Sequence, residues 1–248
     1  MKKISYILVL LLLQSCIKVS IDDCLQSSGN TVTREVELEM FTKILVHEGI
    51  ALTIVQADTQ KVEVTTGSNL VDDVSFKVVD SQLIIEDPNN CDWTRNYAAV
   101  KVKIYTPNLT EIRSSTQYDI NSEGQLAFPT LQLLSEDYYD NSLNNSGDFK
   151  LNLTCNSLRT VTNGFSNFIV SGQVKMLNIF VVSGSSRFEG GNLIANEIVL
   201  YHRGSNDLIL YPIDKISGNL YSTGDVILKN KPPIIDVTGH YKGKLIID

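Results

Sequence analysis

The sequence has few of the residues from which catalytic and metal sites are usually built. Its 248 residues include three histidines, four cysteines and one tryptophan. The histidines are far apart along the chain, and no cysteines have the close spacing of a zinc site. Phosphate-binding loops, dinucleotide fingerprints and calcium-binding loops are also missing from the sequence. We therefore predict no cofactor, no metal and no enzymatic activity.

Positive charge is scarce as well. The chain has 21 Lys and Arg residues against 28 Asp and Glu residues, which gives a formal net charge of −7. Proteins that bind nucleic acids need clustered Lys and Arg side chains to meet the phosphates. The charge therefore argues against a nucleic acid as a partner.

No apolar run in the sequence is long enough to form a membrane-spanning helix. The run near the start extends from Ile4 to Leu13, whereas a spanning helix needs about 20 residues. Lys2 and Lys3 precede it. A positive start, a short apolar core and small residues at the end of the core are typical of a secretory signal peptide. The chain is therefore predicted to be exported.

The end of this segment, Leu13-Gln14-Ser15-Cys16, resembles the bacterial lipobox. The resemblance implies that residues 1–15 are removed as a signal peptide and that Cys16 is acylated. Several acyl chains hold a protein on a membrane stably, whereas a single chain does so only marginally. We therefore predict an outer-membrane lipoprotein of the cell envelope, periplasmic or surface-exposed, with residues 16–30 as a tether. The alternative is an ordinary signal peptide with an incidental cysteine.

The other three cysteines lie in an exported chain, where disulfides are permitted. We expect Cys24 to pair with Cys91, because this bond would tie the tether to the first part of the domain. Cys155 lies in an alternating apolar stretch with Leu151 and Leu153 and is predicted to be a buried, free side chain.

Helical periodicity is almost absent, and alternation of apolar and polar residues replaces it. Val36, Leu38 and Met40, for example, alternate with glutamates. This period of two is typical of strands with one buried face. Turn residues separate the strands, so residues 31–106 are predicted to form an antiparallel sheet or meander.

From residue 107 onward the pattern repeats at intervals of roughly 20 residues, which is typical of a β-solenoid. The repeats begin at Leu109, Leu131, Leu158, Leu177, Ile198, Ile216 and Ile235. A second apolar position follows in each, at Ile120, Leu143, Phe168, Phe188, Leu208, Val226 and Leu245. We predict an all-β, β-helix-like stack of about seven short coils over residues 107–248. The alternative is an antiparallel sandwich with evenly spaced hairpins.

A polar residue precedes each second apolar position. These residues are Asp119, Ser142, Asn167, Arg187, Asp207, Asp225 and Lys244. If the coils stack in register, they form a polar column on one face. The column either binds an extended polymer or is the solvent side of half-buried strands.

One group of acidic and aromatic residues is the candidate ligand site. Carboxylates can hold calcium or act as acid and base, and adjacent aromatic rings can stack on sugars. The group comprises Asp119, Asp137, Tyr138, Tyr139 and Asp140. No Lys or Arg follows Asp137 until Lys150, which argues against a lyase. The alternative is a solvated corner.

The segments His47–Ile54 and Thr106–Ile112, together with serial Ser-Gly-Ser turns, resemble the putative auto-transporter adhesin, head GIN domain family. The resemblance covers roughly residues 33–247. Two turns depart from the pattern, at Ser114-Ser115-Thr116 and at 136–140. The resemblance implies a β-helix-like fold and an adhesin or binding role, and it supplies no catalytic residues.

These observations predict a lipid-anchored, non-catalytic binding module of the cell envelope. Its partners would be the membrane, through the lipid, and a glycan or an envelope protein. A first alternative is a structural envelope protein that associates with itself through a free strand edge near the C-terminus. A second alternative is a carbohydrate-active β-helix enzyme.

Overall fold

The computed structural model describes residues 27–88, 100–137 and 146–248. In this part of the chain 62% of the residues lie in strands and none lies in a helix, which confirms the all-β prediction. These residues accordingly contain no helix long and apolar enough to cross a membrane. Cys16, Cys24 and Cys91 lie outside the described residues, and their predicted roles remain predictions.

Seventeen strands are numbered here in chain order. They are β1 (Thr31–Val36), β2 (Lys43–Val46), β3 (Ile50–Gln56), β4 (Lys61–Gly67), β5 (Ser75–Val79), β6 (Gln82–Glu86), β7 (Val100–Thr106), β8 (Glu111–Ser114), β9 (Ile120–Leu126), β10 (Thr130–Ser135), β11 (Phe149–Thr162), β12 (Phe168–Val181), β13 (Phe188–His202), β14 (Leu208–Leu220), β15 (Val226–Leu228), β16 (Ile234–Gly239) and β17 (Leu245–Ile247).

The strands form one mixed sheet that curls into a half-barrel. Its pairings follow two lines. Ladder A runs through β5, β6, β2, β8 and β10, then through the second halves of β11 to β14, and ends at β16. Ladder B runs through β1, β4, β7, β3 and β9, then through the first halves of β11 to β14, and ends at β15 and β17. The long strands β11 to β14 bend from ladder B into ladder A.

The predicted antiparallel meander over residues 31–106 is only partly right. The pairs β1–β4, β4–β7 and β5–β6 are antiparallel. However, β2 pairs parallel with β6 and β8, and β3 pairs parallel with β7 and β9. Alternation of apolar residues reports which face of a strand is buried and not the direction of its neighbour, so the sequence could not distinguish these pairings. Two of them, β2–β8 and β3–β9, cross the predicted division at residue 107.

In ladder B one apolar column continues across seven parallel strands. Its members, joined in register, are Ile120, Phe149, Phe168, Phe188, Leu208, Val226 and Leu245. Six of the seven are the residues that the repeat predicted. The choice of Leu143 was wrong, because Phe149 is the partner of both Ile120 and Phe168. The repeat that contains β10 and the start of β11 is longer than the others. Two apolar residues in it, Leu143 and Phe149, therefore fitted the second apolar position.

Ladder A has a matching column, Leu131, Leu158, Leu177, Ile198, Ile216 and Ile235, as predicted. Leu109 is misplaced by one position, because Glu111 pairs with Gln132. The inward side chains of both ladders form one buried cluster. Within it the Phe149 and Phe168 rings stack with centroids 4.9 Å apart, and Phe168 and Phe188 follow at 6.2 Å. Each buried Phe contributes about 1.5–3 kcal/mol of transfer free energy.

Candidate functional site

The predicted acidic and aromatic group is only partly described by the structure. Asp119 lies just before β9, and its carboxylate forms an ion pair with the ammonium group of Lys150. The hydrogen bond to Asp119 raises the pKa of Lys150. Asp137 follows β10 and accepts a hydrogen bond from the side-chain amide of Asn163. Both carboxylates are therefore engaged by groups of the same chain, while Tyr138, Tyr139 and Asp140 lie outside the described residues.

Described histidines, cysteines and acidic residues also do not gather into a metal site. No group of three or more of them within residues 27–88, 100–137 and 146–248 is placed to hold an ion.

The predicted polar column exists, but it bonds to the backbone of the chain itself. The Asn167 backbone N–H donates to Asp148 Oδ1 at 2.9 Å, and the Arg187 N–H donates to Asn167 Oδ1 at 3.0 Å. The Asp225 N–H donates to Asp207 Oδ1 at 3.0 Å, and the Lys244 N–H donates to Asp225 Oδ1 at 2.7 Å. Asp148 occupies the position assigned to Ser142, which lies outside the described residues. The oxygens of this column cap the next strand, as Asx side chains cap helices and turns.

The same corner of the sheet is polar on its inner side. Ser135 and Ser166 share a buried hydrogen bond of 2.7 Å, and so do Thr162 and Ser186. His202 lies in register with Thr162, because Thr162 is the partner of Val181 and Val181 is the partner of His202. It is fully buried. Burial lowers the pKa of its imidazole, so the ring is neutral at neutral pH.

Cys155 is buried and free, as the alternating pattern predicted. Desolvation raises the pKa of its thiol to about 11. The thiol is therefore protonated at neutral pH and is a poor nucleophile.

A groove of about 500 Å³ runs across the strands where β11 to β14 bend. Cys155 and Val174 are buried at its floor. One wall carries Thr154, Gln173 and Ile194, which are register partners on three successive strands and are all exposed. Residues 127–129 line one end of the groove and Ile213 lies toward the other.

The second wall carries Asn156, Lys175 and Asn196, which are also exposed. These three residues interrupt the pairing of their strands with each other, because each strand bends there from ladder B into ladder A. Asn196 Nδ2 donates to Asp214 Oδ2 at 2.8 Å, which orients its amide. The groove thus presents amides, a hydroxyl and one ammonium group beside a larger apolar surface, to which Ala127, Pro129, Ile194 and Ile213 contribute.

This lining suits a neutral ligand rich in hydroxyl groups. An amide side chain both donates and accepts hydrogen bonds, so it can pair with either role of a hydroxyl. The ammonium group of Lys175 adds a donor, and Ile194 offers apolar contact.

The groove residues were not chosen from the sequence, although a signal was present. Thr154-Cys155-Asn156, Gln173-Val174-Lys175 and Ile194-Ala195-Asn196 are three exposed–buried–exposed triplets in corresponding positions of successive strands. Clustered acidic charge in the sequence points to Asp119 and Asp137, whereas the groove combines uncharged polar and apolar residues with the single charge of Lys175.

A family model described as putative auto-transporter adhesin, head GIN domain, matches residues 40–232. The resemblance noted in the sequence is thereby confirmed. No curated protein matches the chain.

Several solved structures have the same fold. A putative adhesin from Bacteroides fragilis superimposes with a TM-score of 0.77 at 20% sequence identity, over 88% of this chain and 97% of that one. A putative adhesin from Parabacteroides distasonis gives 0.63 at 16% identity, over 89% and 98% of the two chains. A protein described as a putative lipid binding protein, also from Parabacteroides distasonis, gives 0.60 at 17% identity, over 89% and 98%. At these identities the likeness concerns the fold alone.

Proposed function

Because the chain belongs to the putative auto-transporter adhesin, head GIN domain family, we propose that it is a lipid-anchored, non-catalytic adhesion module of the cell envelope whose groove binds an extended polysaccharide. The observation that carries the proposal is the groove at the bend of β11 to β14, where amide, hydroxyl and ammonium groups lie beside an apolar surface. The two candidate carboxylates that the structure describes are engaged within the chain, since Asp119 pairs with Lys150 and Asp137 accepts a hydrogen bond from Asn163.

The anchor in this proposal is Cys16, and its support is the lipobox-like segment that ends at this cysteine. Metabolic labelling with palmitate tests it on the full chain expressed in a Bacteroides host. We expect the wild type to carry label and to sediment with the outer membrane, and Cys16→Ser to lose both properties. Cys24→Ser is the matched control and should label like the wild type. Label that persists in Cys16→Ser contradicts the anchor.

We also interpret the parallel strands from β8 to β17 as a short solenoid. The support is the repeated register, in which Asn167 follows Asp148 by 19 residues, Arg187 follows Asn167 by 20, Asp225 follows Asp207 by 18 and Lys244 follows Asp225 by 19. One full coil of chain therefore separates successive capping residues. This regularity matters for function because it repeats the groove wall at a fixed spacing.

The spacing of the strands favours a polysaccharide over a polypeptide. Neighbouring strands lie about 4.8 Å apart, and one ring of an extended sugar chain has a similar length. An extended polypeptide advances by only about 3.4 Å per residue. A sugar chain that lies along the groove can therefore present one ring to each strand, whereas the residue spacing of an extended peptide does not match the strand spacing.

Native electrophoresis in gels that contain β-glucan, mannan, xylan or polygalacturonate tests the groove with the full chain in detergent. We expect at least one polysaccharide to retard the wild type. The double variant Gln173→Ala/Asn196→Ala should bind about tenfold more weakly, since it removes two side chains that each contribute about 0.5–1.5 kcal/mol.

The matched control is Gln125→Ala/Asn192→Ala, which removes two exposed amides outside the groove. It should be retarded like the wild type. If no polysaccharide retards the wild type, or if both double variants behave alike, the groove is not the binding site.

A further inference from the structure

The two ends of the sheet differ in how their outer strands are protected. At the end where β1 and β5 are outermost, β1 carries Arg34, which pairs with exposed Asp72, and Glu35, which pairs with Lys61. Charged side chains on an edge strand discourage further strand pairing. At this end the ladder B edge is therefore protected against further strand pairing.

The opposite end has apolar edge strands. Ile234 is 53% exposed, Ile235 39%, Ile246 40% and Ile247 46%. In the described part of the chain β16 pairs only with β14, and β17 pairs only with β15. Their outer edges therefore offer backbone hydrogen-bonding groups beside exposed aliphatic side chains.

Some of these side chains are the last members of the core columns. Ile235 follows Ile216 in ladder A, and Ile247 follows Leu228 in ladder B. Ile216 and Leu228 are fully buried because another strand covers them, whereas nothing in the described structure covers Ile235 and Ile247. A further β-strand edge would complete the columns and satisfy the backbone at the same time.

We propose that this edge docks with the same edge of a second copy, so that two chains join end to end. The surface is close to neutral and carries both signs of charge, on Asp236, Lys242 and Lys244, although the whole chain is at −7. A two-fold axis can set Asp236 of one copy against a lysine of the other. Because a two-fold axis pairs this edge with the same edge of the second copy, the contact uses up the edge on both chains and the assembly closes as a dimer rather than a fibre.

The geometry of such a dimer fits contact between two surfaces. β1 and β17 lie at opposite ends of ladder B. Joining two copies through β16 and β17 places the two β1 strands at opposite ends of the assembly, and in sequence each β1 strand follows the segment of its chain that holds the proposed anchor. This part of the inference rests on the proposed anchor at Cys16, and it makes the chain a homotypic adhesin between facing membranes.

Analytical ultracentrifugation of the full chain in detergent tests the docking edge. We expect the wild type to double its mass at micromolar concentrations, and Ile235→Lys/Ile247→Lys to remain monomeric. The matched control is Ile169→Lys/Val199→Lys, which alters side chains of similar exposure, 41% and 36%, away from the edge. It should dimerise like the wild type.

If the edge double variant fails to fold, Thr238→Lys serves in its place, since Thr238 is exposed on β16. Clustering of vesicles that carry the lipidated chain provides the second readout and should follow the same order of variants. A wild type that stays monomeric, or an edge variant that dimerises as well as the control, overturns the proposal. Neither result decides whether a single groove binds a polysaccharide, because the groove and the edge share no residue.

Discussion

At the scale of single residues, the most informative side chain is His202. It is fully buried, and neither ring nitrogen has a hydrogen-bond partner of normal geometry in the described structure, although the backbone of Asn206 lies nearby. Desolvation therefore dominates and lowers the pKa of the ring. The folded state binds the proton less readily than the unfolded state does.

This depression of the pKa predicts a loss of stability in mild acid. The unfolded histidine titrates near 6.5, so the contribution of His202 is complete above about pH 6.5 and declines as the pH falls below it. Urea unfolding at pH 8 and pH 5.5 measures the effect. We expect His202→Leu to lose less stability than the wild type on acidification. An equal loss in both proteins contradicts this assignment.

Gly218 shows where a residue is dictated by close approach. Its φ is +138°, and an added Cβ would lie 1.9 Å from the carbonyl oxygen of Leu200 on the neighbouring strand. We expect Gly218→Ala to destabilise the fold by about 2 kcal/mol or more in denaturant unfolding. Gly239→Ala is the control, because the nearest atom to its added Cβ is 3.5 Å away. Equal stability of the two variants contradicts the account.

At the scale of elements, the capping column holds neighbouring strands at the corner. Asp207 Oδ1 accepts the Asp225 N–H, and Asp207 also lies 3.5 Å from the Arg187 guanidinium. Asp207→Ala leaves the Asp225 N–H without this partner and should cost about 1–2 kcal/mol of unfolding free energy. Asp207→Asn keeps the accepting oxygen and should cost less than half as much. Thermal unfolding of both variants distinguishes a cap from a simple ion pair, which both substitutions would remove.

The strands also show which features of the fold could be predicted from the sequence. Alternation identified the strands and most of the inward columns, because burial imposes its period directly on the side chains. It did not reveal that β2 and β3 each lie between two parallel partners, since partner choice depends on contacts distant in sequence. The capping role of Asn167 and Asp225 was likewise hidden, because a polar residue on an outer face and one bonded to the next backbone have the same sequence pattern.

At the scale of the whole molecule, the repeat places side chains at equivalent positions of successive strands. The proposed binding groove is lined by such equivalent side chains. The groove could not be read from the sequence because its walls meet only where β11, β12 and β13 bend together. Ile194 lies in register with Gln173, which in turn lies in register with Thr154. The family resemblance predicted an adhesin-type role, but it offered no site, so the site had to come from the assembled surface.

The dimer proposed through β16 and β17 extends this regularity. Each copy would contribute one groove, so two chains in one assembly would bind a long polysaccharide at two places. The second contact is then intramolecular, and avidity exceeds the affinity of either groove alone.

The most direct test of the central claim is isothermal titration of the full chain with oligosaccharides of increasing length, prepared from the polysaccharide that retards it most. The groove spans the strands from residues 127–129 to Ile213, roughly 19 Å at the spacing of neighbouring strands. Affinity should therefore rise with each added sugar up to about four units and then level off. If a monosaccharide binds as tightly as the longest chain, the result contradicts a groove in which each strand contacts one sugar ring.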